Sequence, residues 1–281
     1  MSKKKIWLYV ALSCILLGGA LFTGVLAAVD WDLGGLSTMQ FEERTYEVTS
    51  NFTDIQIETV TADVWLYHTQ ENKITVICDA NEKIVPEVNV IDGVLTISVK
   101  DLRAWYDHIG ICFTVPKIKI YLPEEEYGKL QIKGTTGDTV ISGGFTFESI
   151  DISSSTGDVF CWADSRRYID IRVTTGDIRL EGKTAQSVSL KATTGDISLR
   201  EIVVAGDLSV TGTTGDVYME ACDAESIYIK MTTGDVECSF LTPKAVSAHT
   251  TTGSVDVPDS DSGGSCEIKT TTGDIEVVIK Q

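Results

Sequence analysis

The chain has 281 residues, with 41 Asp plus Glu against 23 Lys plus Arg, a formal net charge of −18. Residues 1–29 hold three lysines and no acid, so residues 30–281 carry 20 basic against 41 acidic residues, a balance of −21. That surplus argues against nucleic acid and against an anionic bilayer as the main partner, because both require a basic face, while a hydrophobic content of 43% is ample for a packed core.

The first predicted element is a membrane helix. Residues 6–29 contain no charge, and 24 residues at about 1.5 Å each exceed a hydrocarbon core of roughly 30 Å. Lys3, Lys4 and Lys5 flank the run on one side and Asp30 and Asp32 on the other. Basic residues stay in the cytoplasm, which places residues 1–5 inside as a tail and everything after Asp30 outside. Trp7 and Tyr9 fall where an interfacial aromatic belt would lie. The competing reading is a cleaved signal peptide with Val25 and Ala27 at the cleavage site, but signal cores are shorter, roughly 7–15 residues. Cys14 does not read as a lipidation site, because the apolar run continues well beyond it. Residues 30–44 read as a linker.

Residues 45–122 read as irregular β coils and a cap, with strand-like stretches and one degraded copy of the downstream motif at Thr61-Ala62-Asp63-Val64. From 123 to 281 the chain repeats itself. Thr-Gly pairs recur with Gly at 137, 157, 176, 195, 215, 234, 253 and 273, at intervals of 19 or 20 residues. Asp follows the Gly in seven copies, and Ser254 replaces it once. Aligned on the Gly, the positions seven and five before it and two and four after it are apolar or Cys in 31 of 32 cases, Thr139 being the exception. The residues between them are mostly polar.

Alternation of period two marks strands with one wet face. A unit this short cannot bury its apolar side alone, so neighbours must stack. The expected fold is all-β, a parallel β-solenoid of 19–20 residues per coil, its columns superposed at about 4.8 Å. A meander of hairpins is disfavoured, since Thr-Gly is a poor hairpin pair.

Repeated Thr-Thr-Gly-Asp-Val/Ile corners, the Leu122-Pro123 pair before the first full copy and the amino-terminal apolar segment together resemble a bacterial putative-adhesin β-strand-repeat family, a domain of unknown function found in envelope proteins. The resemblance covers residues 45–281. It implies a parallel β-solenoid displayed outside the cell and carries over no reaction and no site residue.

Several features compete as sites. The Asp ladder reads as turn chemistry, each Asp satisfying its own corner while Gly supplies positive φ. Calcium is the sharper alternative, although the spacing does not match calcium-binding nonapeptide repeats. Four residues before each Gly stand Lys133, Ser153, Arg172, Lys191, Thr211, Lys230, His249 and Lys269. Cross-strand pairing with acids such as Asp151, Asp170 and Glu267, plus the Lys guard of an exposed sheet, is the favoured account of that column, and docking of an anionic wall polymer the alternative. Matching of the threonines to an ice lattice is disfavoured by their place at a corner. Cys161, Cys238 and Cys266 fall in inward columns as fillers, whereas a Cys78–Cys112 bridge stays open. The three histidines, His68, His108 and His249, form no catalytic or metal motif.

The reading is therefore a single-pass envelope protein with an extracytoplasmic solenoid, serving binding or structure without catalysis. No catalytic residue, metal or cofactor is assigned. The partner expected is a cell-envelope polymer or a membrane protein, with the membrane engaged through the protein's own helix. Two alternatives are an accessory to an envelope-stress sensor acting through that helix, and a carbohydrate-active enzyme near Trp105. Because the chain stops just after the eighth corner, the last coil is expected to expose pairable groups, open to end-to-end self-association.

Overall fold

The computed structural model describes residues 3–28, 41–102, 115–182, 184–259 and 262–280. The amino-terminal part forms one helix, Lys3–Ala28, whose side chains from Ala11 to Gly24 are all exposed. Among the described residues no helix is long and apolar enough to cross a membrane. The spanning segment expected at 6–29 includes side chains beyond those described, so it rests on the sequence alone.

The β body, 42–102 with 116–280, is all strand and turn. Each repeat contributes one strand to a first sheet, turns at its Gly, and contributes a shorter strand to a second sheet. Thr146–Thr156, the corner at Gly157 and Val159–Cys161 form one such coil. Successive coils pair in parallel and in register. Ile152, Ile171, Leu190 and Val210 are neighbours along the first sheet, and Val159, Ile178, Ile197 and Val217 along the second. All eight are no more than 1% exposed. The apolar columns therefore superpose and form a continuous core between the sheets, as the alternation requires. Of the 32 column positions 28 are buried, Thr139 among them. The four that are not, Val246, Ala248, Val255 and Val257, belong to a single coil.

That coil is set apart because spatial order departs from chain order. Ile268 of strand Gly264–Thr272 lies between Ile229 and Ala248. In the second sheet Ile275 lies between Val236 and Val255. The coil that comes last in sequence, 264–279, is thus inserted beneath coil 244–256, which ends the stack. This corrects the expectation that the final coil carries the open edge. Both its sides are paired, and among the described residues the unpaired edge belongs to 244–256, whose column residues have a neighbour on one side only.

Lys244 fastens the arrangement. It is 3% exposed, and its register partner in the inserted coil is Gly264. With no side chain in the way, its Nζ reaches past Gly264 to the Ala224 carbonyl at 2.8 Å, the Thr242 hydroxyl at 3.0 Å and the Asp223 carboxylate.

The amino-terminal end is also out of order. Strand Asp54–Thr61 lies between 94–98 and 130–136, and Asp63–Thr69 between 117–123 and 139–141. Antiparallel strands then close this end: Ile84–Ile91 on Val94–Asp101 in the first sheet, and Ile74–Ala80 followed by Glu42–Val48 in the second. The outermost strand of the second sheet carries Glu42, Glu43 and Glu47, charges that discourage pairing with another edge.

Candidate functional site

The repeated corner is the most conspicuous chemistry, and its geometry is structural. The corner glycines all have φ between +127° and +145°, a region costly for other residues. A Cβ on Gly195 would also fall 2.1 Å from the carbonyl oxygen of Gly176 in the coil beneath. Asp Oδ1 accepts the backbone N–H of the Asp in the next coil rather than serving its own corner, a correction to the turn-local reading. The ladder runs through Asp63, Asp138, Asp158, Asp177, Asp196, Asp216, Asp235 and Asp274, at 2.8–3.0 Å per step. Asp274 then accepts from the N–H of Ser254 at 2.6 Å. Ser254 lies in the coil that ends the stack, where no further N–H awaits an acceptor. The one replacement in the motif thus falls at the one place where the carboxylate has no partner to serve.

The two ends of this ladder differ electrostatically. Hydrogen bonds from the backbone and side chain of Ser254 hold the Asp274 carboxyl below the ordinary value. Burial pushes Asp63 up, against the pull of its bond from Asp138 N–H. Among the described residues no group of three or more His, Cys, Asp or Glu is placed to hold a metal ion.

On the outer face of the first sheet, the column four before each Gly forms one strip across eight coils. Its spatial order is Lys133, Ser153, Arg172, Lys191, Thr211, Lys230, Lys269 and His249. Coil insertion brings Lys269 beside Lys230 and moves His249 to the end. Acids do pair with part of the strip, but mostly within a strand rather than across strands as expected, Lys133 with Glu58 being the cross-strand case. Arg172 binds Asp170, Lys269 binds Glu267, and Lys133 reaches Glu58 at 4.0 Å. Lys191 and Lys230 make no ion pair among the described residues, for the acid column beside them has become Ser189, Ser209 and Tyr228. Next to the strip runs a shallow groove of ≈ 350 Å³ lined by Arg172, Lys191, Ser155, Thr174 and Thr193.

The outer face of the second sheet carries an aromatic cluster that reading the sequence did not assemble. Tyr67 stacks on Tyr121 with centroids 5.4 Å apart, and meets Trp65 edge-on at 6.0 Å. Lys117 Nζ sits 4.5 Å over the Trp65 ring. Two coils along, Phe160 and Trp162 lie 6.1 Å apart and nearly parallel, and Trp162 donates its indole N–H to Glu181. Trp65, Tyr67, Tyr121 and Phe160 stand at outward positions of their strands and Trp162 follows just past the end of Val159–Cys161 in the same alternation, which was the available signal. The cluster joins residues from 65 to 162 because coil 54–69 docks directly on 126–141. Farther along this face lies a groove of ≈ 480 Å³ bounded by Arg179, Arg200, Tyr218 and Glu237.

The cysteines behave as fillers. Cys78, Cys161, Cys222, Cys238 and Cys266 are free and buried. Burial pushes the Cys78, Cys161 and Cys266 thiols up to about 12 and Cys222 to about 11, away from the thiolate that reacts. Cys112, His108 and Trp105 lie outside the described residues, as does the segment considered for sugar stacking. His68 packs against Phe145 and stands 3.5 Å from Glu124, whereas His249 sits in the terminal coil.

A family model described as Toastrack DUF4097 matches residues 52–207 and 165–281. No curated protein matches the chain at a significant level. Among solved structures, one described as a putative adhesin from Bacteroides fragilis is 19% identical, covers 86% of this chain and 99% of its own, and superposes with a TM-score of 0.55. A second, described as a putative lipid binding protein from Parabacteroides distasonis, is 17% identical, covers 85% and 96%, and has a TM-score of 0.48. A third, described as a putative cell adhesion protein from Clostridium sporogenes, is 12% identical, covers 86% and 100%, and has a TM-score of 0.34. At these identities the likeness to the first is one of fold.

Proposed function

The chain belongs to the Toastrack DUF4097 family, and from that membership we propose that it is a membrane-anchored, extracytoplasmic binding module of the cell envelope, adhesin-like and without catalysis. The observation that carries this reading is the register that the strand columns before each corner keep on the first sheet, where the shifts at Phe147/Ser149 and Val204/Asp207 fall at the strand starts. Side chains at equivalent positions line up coil after coil on the first sheet, so a long ligand meets a polar or basic side chain at about 4.8 Å steps along a rigid support. Repeating contacts of that kind suit an extended polymer better than a small substrate, which needs a concave pocket with converging polar groups. The name of the Bacteroides fragilis structure agrees with a binding role.

Anchoring follows from the uncharged run 6–29 with Lys3, Lys4 and Lys5 before it and Asp30 and Asp32 after it. In this reading residues 6–29 hold the chain at the membrane and the β body lies outside.

Two measurements test the reading. Protease added to intact cells should digest the β body while leaving a membrane-retained amino-terminal fragment. Protection of the β body until the membrane is broken sinks the location. Purified full-length chain in detergent should be retained by isolated envelopes in a saturable manner, and retention no greater than that of an unrelated acidic protein sinks the binding role.

A further inference from the structure

Resting on the binding role just proposed, we infer that the strip through Arg172, Lys191, Thr211, Lys230 and Lys269 docks a linear polymer bearing repeated phosphate groups, laid along the stack. The argument begins with charge. The chain is strongly acidic overall, yet the strip and the outward hydroxyl column beside it contain five Lys or Arg, with Glu58 at the amino-terminal end the one acid in register with them. The column on the other side carries Asp151, Asp170 and Glu267, of which Asp170 and Glu267 pair with Arg172 and Lys269 and leave Lys191 and Lys230 as the cations without an ion pair among the described residues. Guarding a sheet face against aggregation needs only scattered charges. Lys191 and Lys230 are exposed, and the adjoining positions on their own strands and between them are Ser189, Ser209 and Tyr228, with Asp170 and Glu267 only diagonal to them and already paired.

Shape and donors agree. Adjacent strip positions are separated by about 4.8 Å, so the eight coils span about 34 Å. The groove beside Arg172 and Lys191 supplies the hydroxyls of Ser155, Thr174 and Thr193. Lysine binds phosphate as a point charge, and Ser and Thr hydroxyls donate to its remaining oxygens. Single-stranded nucleic acid is disfavoured, because sites for it interleave basic residues with aromatic stacking platforms, and on this strip Tyr228 is the one aromatic in the adjoining column.

The surrounding acidity predicts a signature. At very low ionic strength the whole field of the protein repels a polyanion. At a Debye length near 8–10 Å the remote acids are screened while direct contacts persist, and at high salt these are lost too. Affinity for the polymer should therefore pass through a maximum with salt, unlike the monotonic fall expected of a wholly basic protein.

The test uses full-length chain in a nonionic detergent and fluorescently labelled linear inorganic polyphosphate, titrated across a salt series. The variant Lys191→Glu with Lys230→Glu should bind about tenfold more weakly or worse at the salt optimum, with the high-salt slope reduced by about 2. The charge-matched control Lys73→Glu with Lys100→Glu, at the other end of the molecule, should change affinity less than about threefold. Equal losses in both pairs, no binding at any salt, or tighter binding of oligothymidylate than of polyphosphate overturns the inference. Retention on isolated envelopes is measured on the same variants. Undiminished retention of the Lys191/Lys230 variant overturns the phosphate strip while leaving the general binding role intact.

Discussion

The Oδ1 atom of Asp138 accepts the backbone N–H of Asp158 at 2.9 Å, so the side chain of one coil completes the corner of the next. Every Asp that follows a corner glycine has a coil to serve, and Ser254 has none. The ladder is thus directional, and its members are not equivalent to the residue that replaces them.

Asp138→Ala removes the acceptor and leaves a partly buried N–H unsatisfied, which should destabilise the fold by about 1–2 kcal/mol. Asp138→Asn keeps an acceptor oxygen and should recover most of the loss. Ser254→Asp should shift stability by less than about 0.5 kcal/mol. Urea denaturation of the three variants checks this. A stabilising Ser254→Asp, or an Asn no better than Ala, contradicts the directional ladder.

Gly195→Ala combines a strained φ of +134° with a Cβ 2.1 Å from the Gly176 carbonyl oxygen. It should cost more than about 3 kcal/mol. Gly143→Ala, whose Cβ would sit at ordinary contact distance, 3.5 Å from the Trp162 carbonyl, should change stability by less than about 1 kcal/mol. Thermal melting separates the two, and similar losses would mean that glycine is needed for a reason other than coil-to-coil approach.

Coil insertion makes the carboxyl-terminal segment a plug. A chain ending at residue 261 should keep the coils up to 240 folded and lose protection of 244–256, and a peptide of residues 262–281 should restore it in trans. Amide exchange read by mass spectrometry follows both. Lys244→Met leaves Asp223 without its buried partner and should destabilise by about 3 kcal/mol. Unchanged protection of 244–256 in the shortened chain is the outcome that contradicts the observed strand order.

The two ends of the carboxylate ladder should titrate in a fixed order. Asp274 is held low, so the stability it contributes is present above its unfolded value of 3.8 and disappears as pH falls through its folded value. Asp63 is pushed up from 3.8, so its ionised form is unfavourable in the folded state and acid relieves that penalty as pH falls through its folded value. Carboxyl carbon shifts should show Asp274 titrating below Asp63, and the reverse order would contradict the assigned causes.

Much of this architecture was legible in the sequence, because burial in a stacked fold repeats with the coil. Leu130, Ile150, Ile169, Val188, Leu208 and Ile227 mark one buried line, and they are buried. Coil order was not legible at either end. Identical columns let any coil pair with any other, so Ile268 satisfies Ile229 as well as Ala248 would. Two local irregularities did encode the answer: Ser254 without a carboxylate and small Ala248 in a column of larger side chains, both in the terminal coil. The aromatic cluster at Trp65 and Phe160 was hidden for the same reason, since nothing local shows that 54–69 docks on 126–141. The direction of the Asp bonds turns on a few ångströms of side-chain placement, which spacing along the chain does not report.

The interpolated final coil also bears on how such a protein can lengthen. Tandem duplication of a unit between residues 126 and 240 would add a storey with matching floor and ceiling. A unit appended after residue 280 would find both faces of coil 264–279 taken and the vacant face on a different part of the chain. Growth of this architecture by duplication is therefore simplest in its interior, since an added terminal unit would have to pass over a coil to reach the vacant face.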